Sequence, residues 1–271
     1  MNIQSKIPLK RAGALLLFMT LASVAFAQEG WKTVQSTATG KDLNAVYFVD
    51  QKHGWVAGDD GFVSYTSDGG ATWAQQAVAT KDSKRGWVVG SISSKDVVVD
   101  SLVIYTDDGG KSWQRQHVPT RQELIHVDFA DEKRGWIVGV GGTILHTSDG
   151  GATWAEQLSN TKATLYHVDF RNEREGWVVG ERGTILRTID GGLTWILVET
   201  TARGTLLSVA FPDGNNGWIV GRGGVIMRSG DGGRTWVQQE SRTKQNLYAL
   251  FIDKKMGWSV GGKGTILQYE R

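Results

Sequence analysis

An eight-residue phrase occurs five times along this chain, and its spacing narrows the possible folds more than any other feature. The central copy reads Thr147-Ser148-Asp149-Gly150-Gly151-Ala152-Thr153-Trp154, and the others run Thr66 to Trp73, Thr106 to Trp113, Thr188 to Trp195 and Ser229 to Trp236. Their closing tryptophans stand 40, 41, 41 and 41 residues apart. A second phrase keeps step with the first: Gly54-Trp55, Gly86-Trp87, Gly135-Trp136, Gly176-Trp177, Gly217-Trp218 and Gly257-Trp258. Two motifs locked at one period specify a repeat architecture, in which each unit buries its apolar face against the next.

One unit spells out four short strands. Leu165-Tyr166-His167-Val168-Asp169-Phe170 is rich in strand formers and ends at the polar run Arg171 to Glu175. Gly176 to Gly180 reads as the second strand, Glu181-Arg182-Gly183 as a tight turn, and Thr184 to Thr188 as the third. Asp190-Gly191-Gly192 turns the chain into a fourth strand, Thr194 to Val198. Four antiparallel strands in about 41 residues is the size of a propeller blade. The repeated aspartates, Asp68, Asp108, Asp149, Asp190 and Asp231, head turns and can accept N–H bonds from two and three residues on. The paired glycines supply the positive φ such a turn needs. The tryptophan that follows fills the wedge between blades and needs a partner for its N–H.

The expected fold is all-β, a β-propeller of six four-stranded blades, with seven as the alternative. The last unit stops at Tyr269 without a fourth strand, whereas Glu29 to Val34 resembles a fourth strand without a unit. Pairing the two closes the ring and removes open sheet edges. One blade departs from the ruler. Only 14 residues separate Trp73 from Trp87, where later units have 23, and Ile92 to Val99 is extra. The second blade is therefore expected to lack or remake its first strand and to project a long second hairpin.

Residues 1–27 stand outside the repeat. Lys6, Lys10 and Arg11 precede an apolar run from Ala12 to Val24, and Ala25-Phe26-Ala27 closes it. This reads as a secretory signal peptide, leaving residues 28–271 as a single propeller domain in an exported protein. The chain has no cysteine, so disulfides are excluded and packing alone must stabilise it. Removing the signal leaves 27 basic against 28 acidic residues, which gives nucleic-acid binding no electrostatic support. The charge is uneven: residues 28–169 carry 13 basic and 18 acidic side chains, and 170–271 carry 14 and 10.

The repeated Ser/Thr-x-Asp-Gly-Gly-x-Thr-Trp resembles the Asp-box, or bacterial neuraminidase repeat. In its alternation with Gly-Trp-x-Val-Gly it is similar to the photosystem II stability and assembly factors of cyanobacteria and chloroplasts and their bacterial relatives. The resemblance covers about residues 29–271. It implies a soluble or membrane-attached propeller that assists assembly of a membrane protein complex, without catalysis. Photosynthetic members have seven blades, and cyanobacterial ones are often anchored through a lipidated cysteine. Six blades and no cysteine point to a non-photosynthetic exported relative.

A candidate site lies on the face opposite the Asp-turns. Arg121, Lys162, Arg203 and Lys244 each stand three residues before the leucine that opens an inner strand. They are expected to ring the mouth of the central channel. Arg182, Arg222 and Lys263 lie in turns on the same face, farther out. Such cations suit an acidic peptide segment or a carboxylate terminus of a membrane protein, which arginine binds in bidentate fashion. Ordinary solvated surface charge is the competing reading. His126 and His167, beside Asp128 and Asp169, read as packed core residues rather than metal ligands. Tyr65, Tyr105, His146, Arg187, Arg228 and Gln268 share one third-strand position and read as interface packing. The Asp-turns offer one carboxylate each, too few for calcium, so no metal or cofactor is expected. A sialidase would need an arginine cluster, a Tyr/Glu pair and an acid on elaborated loops, which the short uniform loops here do not supply. A non-catalytic monomer is expected, at most peripheral to a membrane and located in the periplasm, or in a thylakoid lumen if the host is photosynthetic. A generic interaction module of another envelope system is the alternative.

Overall fold

The computed structural model describes residues 30–33, 42–48, 51–58, 62–72, 74–75, 85–94, 97–108, 111–253 and 256–270. The expected signal peptide lies outside them, as do Trp73 and the pair Gly109-Gly110. The chain opens with β1 (Gly30–Thr33). A first sheet follows: β2 (Leu43–Phe48), β3 (Gly54–Gly58), β4 (Phe62–Thr66) and β5 (Ala74–Gln75). The second holds β6 (Gly86–Ser94), β7 (Val97–Thr106) and β8 (Gln114–Arg115). The third holds β9 (Leu124–Phe129), β10 (Gly135–Gly139), β11 (Ile144–Thr147) and β12 (Ala155–Glu156). The fourth holds β13 (Leu165–Phe170), β14 (Gly176–Gly180), β15 (Ile185–Thr188) and β16 (Ile196–Leu197). The fifth holds β17 (Leu206–Ala210), β18 (Gly217–Gly221), β19 (Ile226–Ser229) and β20 (Val237–Gln239). The last strands, β21 (Leu247–Ile252), β22 (Met256–Gly261) and β23 (Thr265–Glu270), take β1 as their fourth member, with Trp31 opposite Tyr269. The protein is all-β, built of antiparallel four-stranded sheets, and the borrowed N-terminal strand stands where the sequence placed it.

The first three strands of a unit match the expected segments closely, while the fourth is shorter. β16 spans Ile196–Leu197 rather than Thr194 to Val198, because Trp195 turns inward and is buried. The second sheet has three strands among the described residues, and no inner strand precedes β6. Its long hairpin pairs as far as Ser94 with Val97 and leaves Val97, Val98 and Val99 exposed. Val88 of β6 is 45% exposed, whereas its counterparts Ile137, Val178 and Ile219 are fully buried. Among the described residues no inner strand covers β6, which accounts for the difference.

Each Asp-turn is a closed hydrogen-bond circuit. Thr147 Oγ1 donates to Asp149 Oδ1 (2.8 Å) and accepts the N–H of Gly151 (2.9 Å). Asp149 then accepts the N–H of Thr153 (2.9 Å) and its hydroxyl (2.6 Å). The carboxylate therefore caps the N–H four residues on, rather than two or three. The positive φ of Gly150 (72°) and Gly151 (85°) carries the chain round that far. In the copies headed by Asp108 and Asp231, Lys111 N–H and Arg234 N–H add a bond from the third residue. The Thr153 hydroxyl and N–H hold the Asp149 carboxyl at about 2.

Aromatic side chains join the sheets. Trp136 of the third sheet stacks on Phe170 of the fourth at 3.4 Å, and Trp195 meets the same ring edge-on at 5.8 Å. Trp177, Phe211 and Trp236 repeat the arrangement one sheet later. Phe170 lies flat over Gly176, where any Cβ would occupy its ring, which explains the glycine of the Gly-Trp phrase. The Trp136 and Trp177 N–H groups reach across to the carbonyls of Gly191 and Gly232. Trp258 of the last sheet stacks on Phe48 of the first at 3.8 Å, so the two ends of the array pack together. Trp218 faces Ile252, which offers no aromatic ring, and packs instead on Trp31 and Tyr269.

Candidate binding face

Hydrogen bonds between loops sort them onto two faces. Gly150, Gly191 and Gly232, in the Asp-turns, donate to Lys133, Arg174 and Asn215 in the loops between first and second strands. Val140, Glu181 and Arg222, in the turns between second and third strands, donate to Glu123, Thr164 and Thr205 in the sheet-to-sheet crossovers. The crossovers thus share the second face, as the strand directions required.

Arg121, Lys162, Arg203 and Lys244 are exposed and stand at the same end of β9, β13, β17 and β21. These inner strands neighbour one another in that order. Among the described residues the four form an arc over four sheets, because Gly40 and Lys41 lie outside them and the second sheet contributes no inner strand. Arg182 and Lys263 occupy the turn tips with φ of 56° and 54°, a left-handed conformation that Gly141 and Gly223 adopt in sister turns. Arg222 is not their equivalent. It opens its turn, one residue before the tip, and its charge acts on the phenols of Tyr166 and Tyr248 in the two flanking sheets. It therefore reaches toward the inner strands rather than lying farther out.

Pairing separates these cations from several others. Arg134 bridges Asp131 (2.8 Å) and Glu173 (2.7 Å), Arg115 bridges Asp100 (2.7 Å), and Arg171 bridges Glu175. Among the described residues none of the seven expected site cations is in a salt bridge. Two acids on the same face are engaged instead. Asp42 accepts the Tyr248 hydroxyl (2.9 Å) and the Lys263 N–H (3.0 Å), and the latter bond does most to lower its pKa. Glu181 accepts the Thr164 N–H at 3.2 Å. Two open clefts flank the arc: one of about 650 Å³ lined by Arg115, His117 and Arg121, and one of about 560 Å³ lined by Gln122, Glu156 and Lys162.

Sequence reading missed several residues of this face. Arg242 has a φ of 55° in the crossover that also carries Lys244. Tyr166, Tyr248 and Asp42 build the surface between the cations. Tyr166 and Tyr248 each follow the leucine that opens an inner strand, two periods apart, but the sister positions are Ile125 and Leu207, so no polar pattern marks them.

Below this face, the inner strands carry a polar wall. His126 and His167 stack at 3.8 Å, and His126 Nδ1 accepts the Val168 N–H at 3.4 Å. Asp128 and Asp169 accept the N–H groups of Phe170 (2.7 Å) and Phe211 (3.1 Å), each capping the open edge of the next inner strand. Burial lowers His126 to about 4 and, aided by Asp128, raises Asp169 to about 7. Among the described residues no three His, Cys, Asp or Glu side chains are grouped to hold a metal ion. The third-strand set sits beside the Gly-Trp tryptophans: His146 lies 4.9 Å from Trp136, Arg228 lies 5.3 Å over Trp218, and Arg187 donates to Gly232.

The sequence profile described as "Photosynthesis system II assembly factor YCF48" matches residues 23–121, 111–205, 155–238 and 197–270. The "Photosystem II assembly lipoprotein Ycf48" of Picosynechococcus sp. is 26% identical over 94 residues, 33% of this chain and 28% of that protein. The match thus spans less than a third of that relative's length. The solved structure of YCF48 from Cyanidioschyzon merolae superposes with a TM-score of 0.68 at 20% identity, covering 89% of this chain and 98% of the other. A second, titled "YCF48 bound to D1 peptide", gives 0.56 at 21% identity and covers 91% and 99%. The WD40 β-propeller domain of Doa1 gives 0.59 at 10% identity and covers 89% and 97%.

Proposed function

Since the chain belongs to the photosystem II assembly factor YCF48 family, we propose that it is an exported, non-catalytic β-propeller that binds a membrane protein during assembly. In this reading residues 1–27 are the signal peptide and residues 28–271 form one ring of six blades, located in the periplasm or a thylakoid lumen. The neighbour relations of the sheets, the Trp258–Phe48 stack and the borrowed β1 support that ring.

The binding site is the crossover face, and one observation carries the assignment. Its seven cations are exposed and unbridged among the described residues, while Arg115, Arg134 and Arg171 elsewhere are held by carboxylates. An acidic segment or a carboxylate terminus supplies the missing counter-charge. That a related protein has been solved with a bound peptide supports the partner class. No nucleic acid is involved, and contact with the membrane is peripheral.

The test is binding of a fluorescent peptide with acidic side chains and a free C-terminal carboxylate. Affinity should fall steeply with salt. It should fall about 100-fold or more when Arg121, Lys162, Arg203 and Lys244 are all changed to Glu. Reversing Arg134 and Arg171 on the opposite face should leave it unchanged. Equal loss from both sets, or binding insensitive to salt, overturns the site.

A further inference from the structure

The repeats serve as controls for one another, and the second sheet departs from them where its long hairpin meets the arc of cations. In the next three sheets a glycine ends the turn between second and third strands, and the carbonyl just before the following cation lies against it. Any Cβ at Gly142, Gly183 or Gly224 would meet the carbonyl of Thr161, Ala202 or Thr243, the residues that precede Lys162, Arg203 and Lys244. One period earlier the same position is Ser101, which the hairpin carries within β7. Its buried hydroxyl reaches the carbonyls of Thr120 (3.1 Å) and Gln122 (2.6 Å), the two neighbours of Arg121. The crossover that presents Arg121 is thus bonded to the hairpin through a side chain, where its sisters pack on a glycine.

The cleft of about 650 Å³ beside Arg121 differs in charge as well, because its lining includes Arg115 and His117. The corresponding residues are Glu156 and Leu158, Leu197 and Glu199, and Gln238 and Glu240 in the next three sheets. Each of those pairs includes a glutamate, and in the third sheet Glu156 lines the same cleft as Lys162. The second sheet has two basic side chains in their place. Asp100, the acid in its lining, is already committed: Oδ1 accepts the Ser101 N–H (3.0 Å) and Oδ2 accepts Arg115 (2.7 Å). It holds Arg115 in place rather than repelling an anion. A carboxylate entering this cleft is met by two guanidinium groups, whose planar forks match its two oxygens.

We propose that this cleft is the seat of the partner's carboxylate, with Arg121 as its anchor and Ser101 as the residue that positions the anchor. Such a seat presupposes that the crossover face is the binding face, and narrows that face from an arc of equals to one site. Fixing the backbone on both sides of Arg121 removes part of the ordering cost that binding otherwise carries. The other cations of the arc act at longer range and draw the acidic segment in.

Affinity for the same fluorescent peptide, measured variant by variant, decides the matter. Arg121→Gln should weaken binding about tenfold, while Lys162→Gln, Arg203→Gln and Lys244→Gln should each cost at most about threefold. Arg115→Glu with His117→Leu gives the cleft the third sheet's side chains and should cost as much as Arg121→Gln. Ser101→Ala should weaken binding about threefold in the wild-type background and not at all beside Arg121→Gln. Ser259→Ala removes a buried hydroxyl that donates to Ala249 in the last sheet; it should lower Tm as Ser101→Ala does and leave affinity alone. The amidated peptide should bind wild type and Arg121→Gln alike if the seated carboxylate is the terminus, and keep the tenfold difference, about 1.4 kcal/mol, if it is a side chain. Equal losses from the four single substitutions, or a further loss when Ser101→Ala is added to Arg121→Gln, overturn the cleft and leave the face. A wild-type protein that does not bind the peptide overturns the reading beneath both.

Discussion

Single side chains in this fold act through bonds that the repeat makes legible. Asp149 caps Thr153 twice, so Asp149→Ala should cost about 1 kcal/mol, and thermal unfolding should show Tm lower by about 2–4 °C in a domain of this size. The carboxyl sits below its ordinary value of 3.8, so its contribution is complete above about pH 4 and is lost as pH falls through about 2. The deficit of the variant should therefore vanish in strong acid. A second test concerns the closing tryptophans. Trp154 and Trp195 donate to Gln116 and Gln157, but the same position before Trp236 is Val198, and the Trp236 N–H is buried without a partner. Val198→Gln should supply the acceptor and raise Tm, by about 1 kcal/mol of added stability; a lower Tm would show that packing against Val198 outweighs the bond. The turns and tryptophans were legible because they recur. This orphaned N–H was not, since its partner comes from the neighbouring sheet.

The inner strands raise a different question, because their polar residues face other strands rather than water. The folded chain holds the Asp169 proton up to about pH 7, against an ordinary value of 3.8. Stability from this group is thus greatest below about pH 4 and is lost as pH rises through about 7. His126 works the other way: its contribution is complete above 6.5 and is lost as pH falls through about 4. The two slopes oppose each other in mild acid. Asp169→Asn keeps an acceptor for the Phe211 N–H and removes the buried charge. Its Tm should match wild type near about pH 4 and exceed it by several degrees near about pH 8. Equal Tm at both values would show that Asp169 is already ionised at low cost. Strand composition exposed the elements themselves, down to Leu165–Phe170 and Gly176–Gly180. It could not give this wall, since a carboxylate in a strand reads as solvated until its neighbour 42 residues on is seen to cover it.

At the level of the whole molecule, the period of about 41 residues made the sheet architecture readable. The arrangement of charge over the faces was half readable. The offset of Arg121, Lys162, Arg203 and Lys244 before each inner leucine was plain in the sequence, whereas the bonds that occupy Asp42 and Glu181 needed the fold. The borrowed strand has a consequence for how the protein comes into being. Gly30 pairs with Glu270 and Thr33 with Leu267, so the first and last described strands lie side by side. Moving residues 28–34 behind Arg271 through a short turn should give an ordinary meander with the same Tm and faster refolding, which stopped-flow fluorescence of the tryptophans would show. In the natural order, β1 leaves the ribosome before every other strand of its sheet and has no partner until β23 arrives. A chain cut short anywhere before it carries two unmatched ends. The join is therefore a built-in check on synthesis: the last sheet cannot lock until β23 has been made.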